Sequence, residues 1–325
     1  MRCDIIIPVW DQLEATRRCI VSIRENTDYP YRLIIIDNAS GEETRNYLHT
    51  LADILLIRNE ENAGFVKAVN QGLRASNASY MCIMNNDTIA TAGWLKEMID
   101  VVESNPGIGI VNPSSNTSGQ TAPEHMKGQI QELYNCRGFC MLLKREVIEK
   151  TGLFDEIYSP GYFEETDYSK RAHENGFMIA RAKGAYVYHS EGASFKNLNE
   201  RQALFQRNER IFFRRWGRPI RVAYLVDEKT PVEKVEGIAA AAARRGDQIL
   251  IFLKKGLDWP IAIDHFEIRR VDIGRLFFNF IALCKILKRK EKKKIDVILT
   301  DDKAFGNFLA SIKNMHKADV VVNPF

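Results

Sequence analysis

Tyr80-Met81-Cys82-Ile83-Met84-Asn85-Asn86-Asp87-Thr88 is an apolar run that ends abruptly in two amides and a carboxylate. The apolar part suits a buried strand, which would leave the polar tail at its carboxyl edge. One carboxylate flanked by amide oxygens gives a hard divalent cation, Mg²⁺ or Mn²⁺, a few ligands and leaves other positions to water and phosphate. Asn-Asn-Asp is equally good turn chemistry. The stretch therefore takes its meaning from its neighbours.

The same pattern fills residues 1–110. Residues 4–9, 32–37, 54–58 and 80–84 are apolar strand runs, and residues 13–25, 41–51, 63–75 and 93–105 are amphipathic helices. This alternation predicts an α/β fold with a mostly parallel sheet and crossover helices. Each strand run ends in polar residues: Trp10-Asp11, Asp37-Asn38, Asn59 and Asn85-Asn86-Asp87. Ligands of open α/β sheets sit at the carboxyl ends of strands, so these groups are expected to face one cleft. Residues 112–135, rich in Ser, Thr, Asn, Gly and Gln, are expected to form a long mobile loop. Strands follow at 138–143 and 185–189, with a helix at 164–175 between them that Gly176 ends. A basic, aromatic-studded helix at 199–216 closes a first domain, 1–217. Residues 220–325 begin a second, smaller Rossmann-like α/β domain with strand runs at 221–226, 248–253, 295–300 and 319–322.

Bulk composition agrees. A chain of 325 residues, 45% apolar and 27% charged, is globular and long enough for two domains. A net charge of +4 suits anionic substrates or a membrane surface but is too small to argue for nucleic acid. The six cysteines fall mostly in apolar segments without metal-type spacing, as in a cytoplasmic protein with reduced thiols. No apolar run approaches the roughly 20 residues of a membrane span. The chain enters its first strand without a signal-like segment, so a cytoplasmic location is expected.

Several residues carry candidate chemistry. Asp37 and Asn38 stand past a buried strand, where they could bond a base edge or ribose; Asn38 and Ser40 would also serve as N-caps. Asn62 and Gly64 open a helix whose amino terminus favours anions. Lys67 and Asn70, three apart, are expected on the face next to that anion site. Glu164, Glu165 and Asp167 open another helix, where acids are favoured by the dipole alone. A buried, mutually repelling carboxylate pair also makes a general base. His189 ends a strand and could complete a metal shell or serve structure alone.

Taken in order, Ile7-Pro8-Val9-Trp10, Asp37-Asn38-Ala39-Ser40, Asn62-Ala63-Gly64-Phe65, Asn85-Asn86-Asp87-Thr88, Phe163-Glu164-Glu165-Thr166-Asp167 and then His189 resemble family 2 inverting glycosyltransferases. The likeness is greatest to bacterial rhamnosyltransferase-like members that build surface polysaccharides, and it covers residues 3–217. It implies a GT-A fold, a nucleotide-diphosphate sugar donor (UDP or dTDP) and a divalent metal. By position, Pro8, Val9, Asp37 and Asn38 would line the nucleoside pocket. Asn62, Gly64, Lys67, Asn70 and Asn86 would face the rest of the donor. Asn85, Asp87 and His189 would hold the metal. Glu165 stands where the family keeps its catalytic base, and Glu164 and Asp167 would orient the helix or an acceptor hydroxyl. Two departures stand out: Asn85 replaces the first acid of the family's Asp-x-Asp motif, and Glu165 replaces its usual Asp. The implied acceptor is a glycan or lipid-linked glycan. Residues 220–325 more faintly resemble the amino-terminal half of a GT-B glycosyltransferase.

Basic helices at 205–216 and 276–294 raise peripheral membrane contact as an expectation, beside the plainer reading of packed helices with solvated ends. A catalytically weak sugar-nucleotide-binding or scaffold module is the competing reading of the whole chain.

Overall fold

Strand β1 (Cys3–Val9) is buried along its whole length, which is why it reads as an almost continuous apolar run. It pairs in parallel with β2 (Tyr31–Asp37) and β4 (Tyr80–Met84), and β2 pairs in parallel with β3 (Ile54–Arg58). Helices α1 (Leu13–Asn26), α2 (Glu42–His49) and α3 (Phe65–Ala75) make the crossovers. After β4 come β5 (Thr88–Ala90), α4 (Trp94–Ser104), β6 (Ile108–Ser114), β7 (Ile130–Leu133), β8 (Cys140–Lys144), α5 (Arg145–Thr151), α6 (Glu164–Glu174), β9 (Met178–His189) and α7 (Leu198–Trp216). The sheet runs β3-β2-β1-β4-β8-β6-β9-β5, with β7 also on β9. The computed structural model describes residues 2–118, 126–190, 198–256, 262–289 and 293–322.

By contacts the chain divides into Met1–Gln131 with Asn135–Gly217, and Glu132–Tyr134 with Arg218–Phe325. The second unit holds β10 (Arg221–Leu225), α8 (Val232–Arg244), β11 (Gln248–Lys254), β12 (Ile268–Ile273), α9 (Phe278–Leu287), β13 (Val297–Thr300), α10 (Lys303–Ser311), α11 (Lys313–His316) and β14 (Asp319–Val322). Its sheet, β12-β11-β10-β13-β14, is parallel throughout.

The expected loop at 112–135 is partly regular structure. Residues 112–114 belong to β6, which the sequence hides because Gly109 interrupts its apolar run. A Cβ on Gly109 would lie 2.6 Å from Val147 Cγ2, so the strand needs glycine for packing rather than for a turn. The mobile-loop expectation for 119–125 lies outside the described residues, as do Glu191–Phe195 of the segment after His189 and part of the basic run at 288–294. No helix among the described residues is long and apolar enough to cross a membrane.

Helix α3 lies tight on the sheet, since a Cβ on Gly72 would come within 2.3 Å of Ile6 Cγ2. Gly72→Ala is expected to destabilise the fold by about 1–3 kcal/mol through overpacking, read as a lowered urea midpoint at unchanged m.

Candidate active site

Sheet register builds the centre. β4 runs antiparallel to β8, with Met84 opposite Cys140, so the turn after β4 meets the turn before β8. The Asn85 N–H donates to the Phe139 carbonyl at 2.8 Å. β5 runs antiparallel to β9, with Thr88 opposite His189. That pairing carries a histidine about a hundred residues downstream to the side of Asp87, with His189 Nε2 3.3 Å from Asp87 Oδ1. Asn85 Nδ2 is 3.5 Å from the same ring nitrogen.

His189 is held from every side. Its ring stacks on Phe139, centroids 5.1 Å apart. Asn116 grips its backbone twice, accepting from the His189 N–H at 2.9 Å and donating to the His189 carbonyl at 3.1 Å. Asn112 fixes the turn that carries Phe139, donating to the Arg137 and Cys140 carbonyls and accepting from the Arg137 N–H. Neither amide was singled out from sequence, because both lie in the stretch read as loop; Asn-Pro and Ser-Ser-Asn look like ordinary turn chemistry there. Asn116→Ala is expected to lower turnover about tenfold with the fold intact, because small losses of alignment are costly in a preorganised site. Unchanged kcat with normal thermal unfolding would show that the clamp does not matter.

The carboxylate pair arrives from another direction. α6 begins at Glu164, directly after Tyr162 and Phe163, whose φ values are 74° and 70°. Two non-glycine residues in the left-handed region are strained, and such strain persists only where the surroundings impose it. Asn208 of α7 imposes it by donating to the Tyr158, Gly161 and Tyr162 carbonyls, while the Phe163 ring packs against Phe212. The segment that carries Phe139 also holds the first turn of α6. The Cys136 N–H donates to Ser169 Oγ, Ser169 Oγ donates to the Glu165 carbonyl, and Gly138 sits beside the Glu165 side chain. One short stretch, residues 135–139, thus touches Asn85, His189 and Glu165.

Electrostatics sharpen the pair. Burial lifts the Glu165 carboxyl above its ordinary range, opposed in part by its own backbone N–H, by the Arg137 charge and by Thr166. Burial, reinforced by Glu165, lifts Glu164 further, and Glu164 Oε2 has no hydrogen-bond partner.

Asp87 Oδ1 is likewise buried without a hydrogen-bond partner. A buried carboxylate oxygen that accepts no hydrogen bond and lies 3.3 Å from an imidazole nitrogen fits a divalent cation. Among the described residues no group of three or more His, Cys, Asp and Glu forms a metal site. Asp87, His189 and Asn85 would therefore hold such an ion partially, with the remaining positions left to a ligand and water.

Residues 4–152 match the family model described as Glycosyl transferase family 2. The chain carries a family 2 glycosyltransferase domain. Chondroitin synthase of Escherichia coli is 21% identical over 302 residues, covering 77% of this chain and 42% of that protein. The protein y4gI of Sinorhizobium fredii is 23% identical over 248 residues, covering 66% of this chain and 27% of its own length. The chain thus spans well under half of these curated relatives. S. aureus TarS 1-349, solved in complex with UDP-GlcNAc, superposes with a TM-score of 0.50 at 14% identity, covering 75% of this chain and 72% of that one. The superposition establishes a shared GT-A fold.

Several residues expected at the donor of this glycosyltransferase domain are engaged otherwise. Asn70 is fully occupied: its Nδ2 donates to the Phe154 carbonyl and to Glu156, and its Oδ1 accepts from the Phe154 N–H. A buried amide needs partners, and here the 154–156 segment supplies them. Lys67 is exposed, so the two do not share a face. Gly64 caps α3 with φ 82°, and a Cβ there would come 2.7 Å from Pro160. The anion-site expectation weakens too, because the Ala63, Gly64 and Phe65 N–H groups donate to Asn38, Asn62 and the Pro160 carbonyl. Asn38 and Asn62 bond each other, tying β2 to the start of α3.

Asp37 is buried, accepting from Ser40 N–H and paired with Arg58, a partner that sequence reading missed. Pro8 and Val9 are buried at the end of β1, and the Val9 carbonyl accepts from the Asn38 N–H. Asn86 donates to Thr16 Oγ1 of α1 and so anchors the turn rather than presenting its amide to a ligand. Asp167 takes Arg171, Arg215, Tyr158 and Trp216, which makes it the anchor of α6 and removes it as an acceptor-hydroxyl contact. Part of the face expected of α7 is used within the fold: Arg207 donates to the Ser159 and Ile157 carbonyls, Arg215 pairs with Asp155, and Phe212 is buried, while Arg210 and Arg214 are exposed.

Proposed function

We propose that this chain is an inverting glycosyltransferase that moves a sugar from a nucleotide-diphosphate donor, UDP- or dTDP-linked, to a hydroxyl of a glycan or lipid-linked glycan in surface polysaccharide synthesis on the cytoplasmic side. The observation that supports it is the single segment 135–139, which touches Asn85, His189 and Glu165 while Asp87 sets beside His189 an oxygen that accepts no hydrogen bond. Bound by Asp87, His189 and Asn85, Mg²⁺ or Mn²⁺ would neutralise charge on the departing diphosphate.

The chain's own residues do the rest. Glu165, lifted by burial, takes the proton of the acceptor hydroxyl. The Arg137 charge opposes part of that lift. Burial, reinforced by the neighbouring Glu165 charge, lifts the Glu164 carboxyl well above the ordinary carboxylate range. Asn116 and Phe139 fix His189, and Asn208 with the Phe163 cluster fixes the first turn of α6. One base and no protein nucleophile give a single displacement with inversion.

The deciding experiment is a release assay with UDP-, dTDP- and GDP-sugars and Mn²⁺. Metal-dependent release of one nucleotide supports the transferase. Binding of a donor without any release supports the weak sugar-nucleotide module instead, a reading that Asn85 in place of an acid favours.

A further inference from the structure

The second unit has a cavity that the transfer chemistry above does not use. Its parallel sheet changes winding direction between β10 and β13, and ligands of such sheets settle outside the strand ends at that switch point. A cavity of about 390 Å³ lies there, lined by Asp227 after β10, Lys254 at the end of β11, Phe277, Phe280 and Asn279 at α9, and Asp302 after β13. That volume is within the range of small-ligand sites, roughly 300–1,000 Å³.

We infer that this cavity binds an uncharged stretch of glycan, with Phe277 and Phe280 as the stacking platform and Asp227, Asn279 and Asp302 bonding the hydroxyls. Three observations carry the choice of ligand. The turn after β10, Val226-Asp227-Glu228-Lys229-Thr230-Pro231, has no glycine and places two acids where a diphosphate would have to lie, which argues against a nucleotide. The wall balances Asp227 and Asp302 against Lys254 and Arg275, and Lys254 is already 3.4 Å from Glu228, so no net field favours an ion. The rings of Phe277 and Phe280 are 71% and 66% exposed beside those polar groups.

Exposed rings next to fixed carboxylates match a sugar, which has an apolar C–H face and a rim of hydroxyls. Phe277 is held at φ 58°, a strained position for a non-glycine residue. Asp302 is preset by accepting from Asn279 Nδ2 at 3.3 Å and from the Phe305 N–H at 2.9 Å, so binding would order little. The inference deepens the transferase reading by giving the second unit to the acceptor glycan, and it rests on that reading for this role.

The test uses the full chain with chitotriose, maltotriose, cellotriose and, as a charged comparator, a hyaluronan tetrasaccharide, followed by saturation-transfer NMR and calorimetry. A neutral probe is expected to bind, and the double variant Phe277→Ala/Phe280→Ala, both exposed rings, is expected to weaken it about tenfold, near 1.4 kcal/mol. Donor release without acceptor should be unchanged in that variant. The site is refuted if no neutral probe binds at about 10 mM, the weak end of measurable affinity. Undiminished binding in the double variant, or preference for the charged probe, refutes it as well. Glycan binding in a chain that never releases a donor nucleotide would keep the site and reject the transferase reading.

Discussion

Glu165→Gln is expected to reduce glycosyl transfer by about 10³-fold while donor binding survives, because positioned proton transfer contributes roughly 10²–10⁴. The substitution keeps shape and removes the negative charge that would take the hydroxyl proton. Glu165 is well placed for a clean comparison: its backbone carbonyl, rather than its carboxylate, anchors Ser169 and Cys136, so the first turn of α6 should persist. Donor affinity by calorimetry and initial rates by nucleotide release separate the two effects. Turnover within a few-fold of the parent chain would remove Glu165 from the role of base.

The pH dependence follows from the same burial. Burial lifts the Glu165 carboxyl, so the acid limb of the rate profile should lie above the ordinary carboxylate range and vanish in Glu165→Gln. Stability runs the other way. Between the ordinary carboxylate value and the raised folded value, the folded chain keeps protons on Glu164 that the unfolded chain releases. Unfolding free energy should therefore fall as pH rises through that window, and Glu164→Gln should flatten the slope. Urea midpoints measured across that pH range check the sign.

Asp87→Asn is expected to cost about 10²–10³ in kcat, the scale of losing one preorganised group at developing charge. The Mn²⁺ concentration for half-maximal rate should rise by at least the roughly 10–100-fold that loss of an outer-sphere partner costs. Asn is isosteric, and Asp87 is held through its backbone, whose carbonyl accepts from the Ser190 N–H at 3.0 Å, so the turn should keep its shape. Wild-type metal dependence in Asp87→Asn would place the cation elsewhere.

The first four parallel strands were legible because strands buried on both faces are written as unbroken apolar runs, and their polar ends name the cleft. The antiparallel half of the sheet was harder to read. β5 is three residues long, and β6 contains a glycine, Gly109, that serves packing. Asn70 illustrates the limit for polar residues: its place in an apolar stripe announced a buried amide with partners, yet only the fold says that Phe154 and Glu156 are those partners. The same holds for Asp167, whose acid type suited several roles until Arg171, Arg215, Tyr158 and Trp216 gathered on it.

Sequence by itself determined the local chemistry: that the first four apolar runs are strands, that Asn85-Asn86-Asp87 ends one of them, and that Glu164 and Glu165 open a helix. Those follow from periodicity and capping, which act over a few residues. Only the tertiary structure decided that His189 stands against Asp87, because that contact depends on the register between β5 and β9. It also decided that Asn70, Asn86 and Asp167 are held inside by partners distant in sequence. Pairing over such separations is set by how the sheet closes, which no local pattern records.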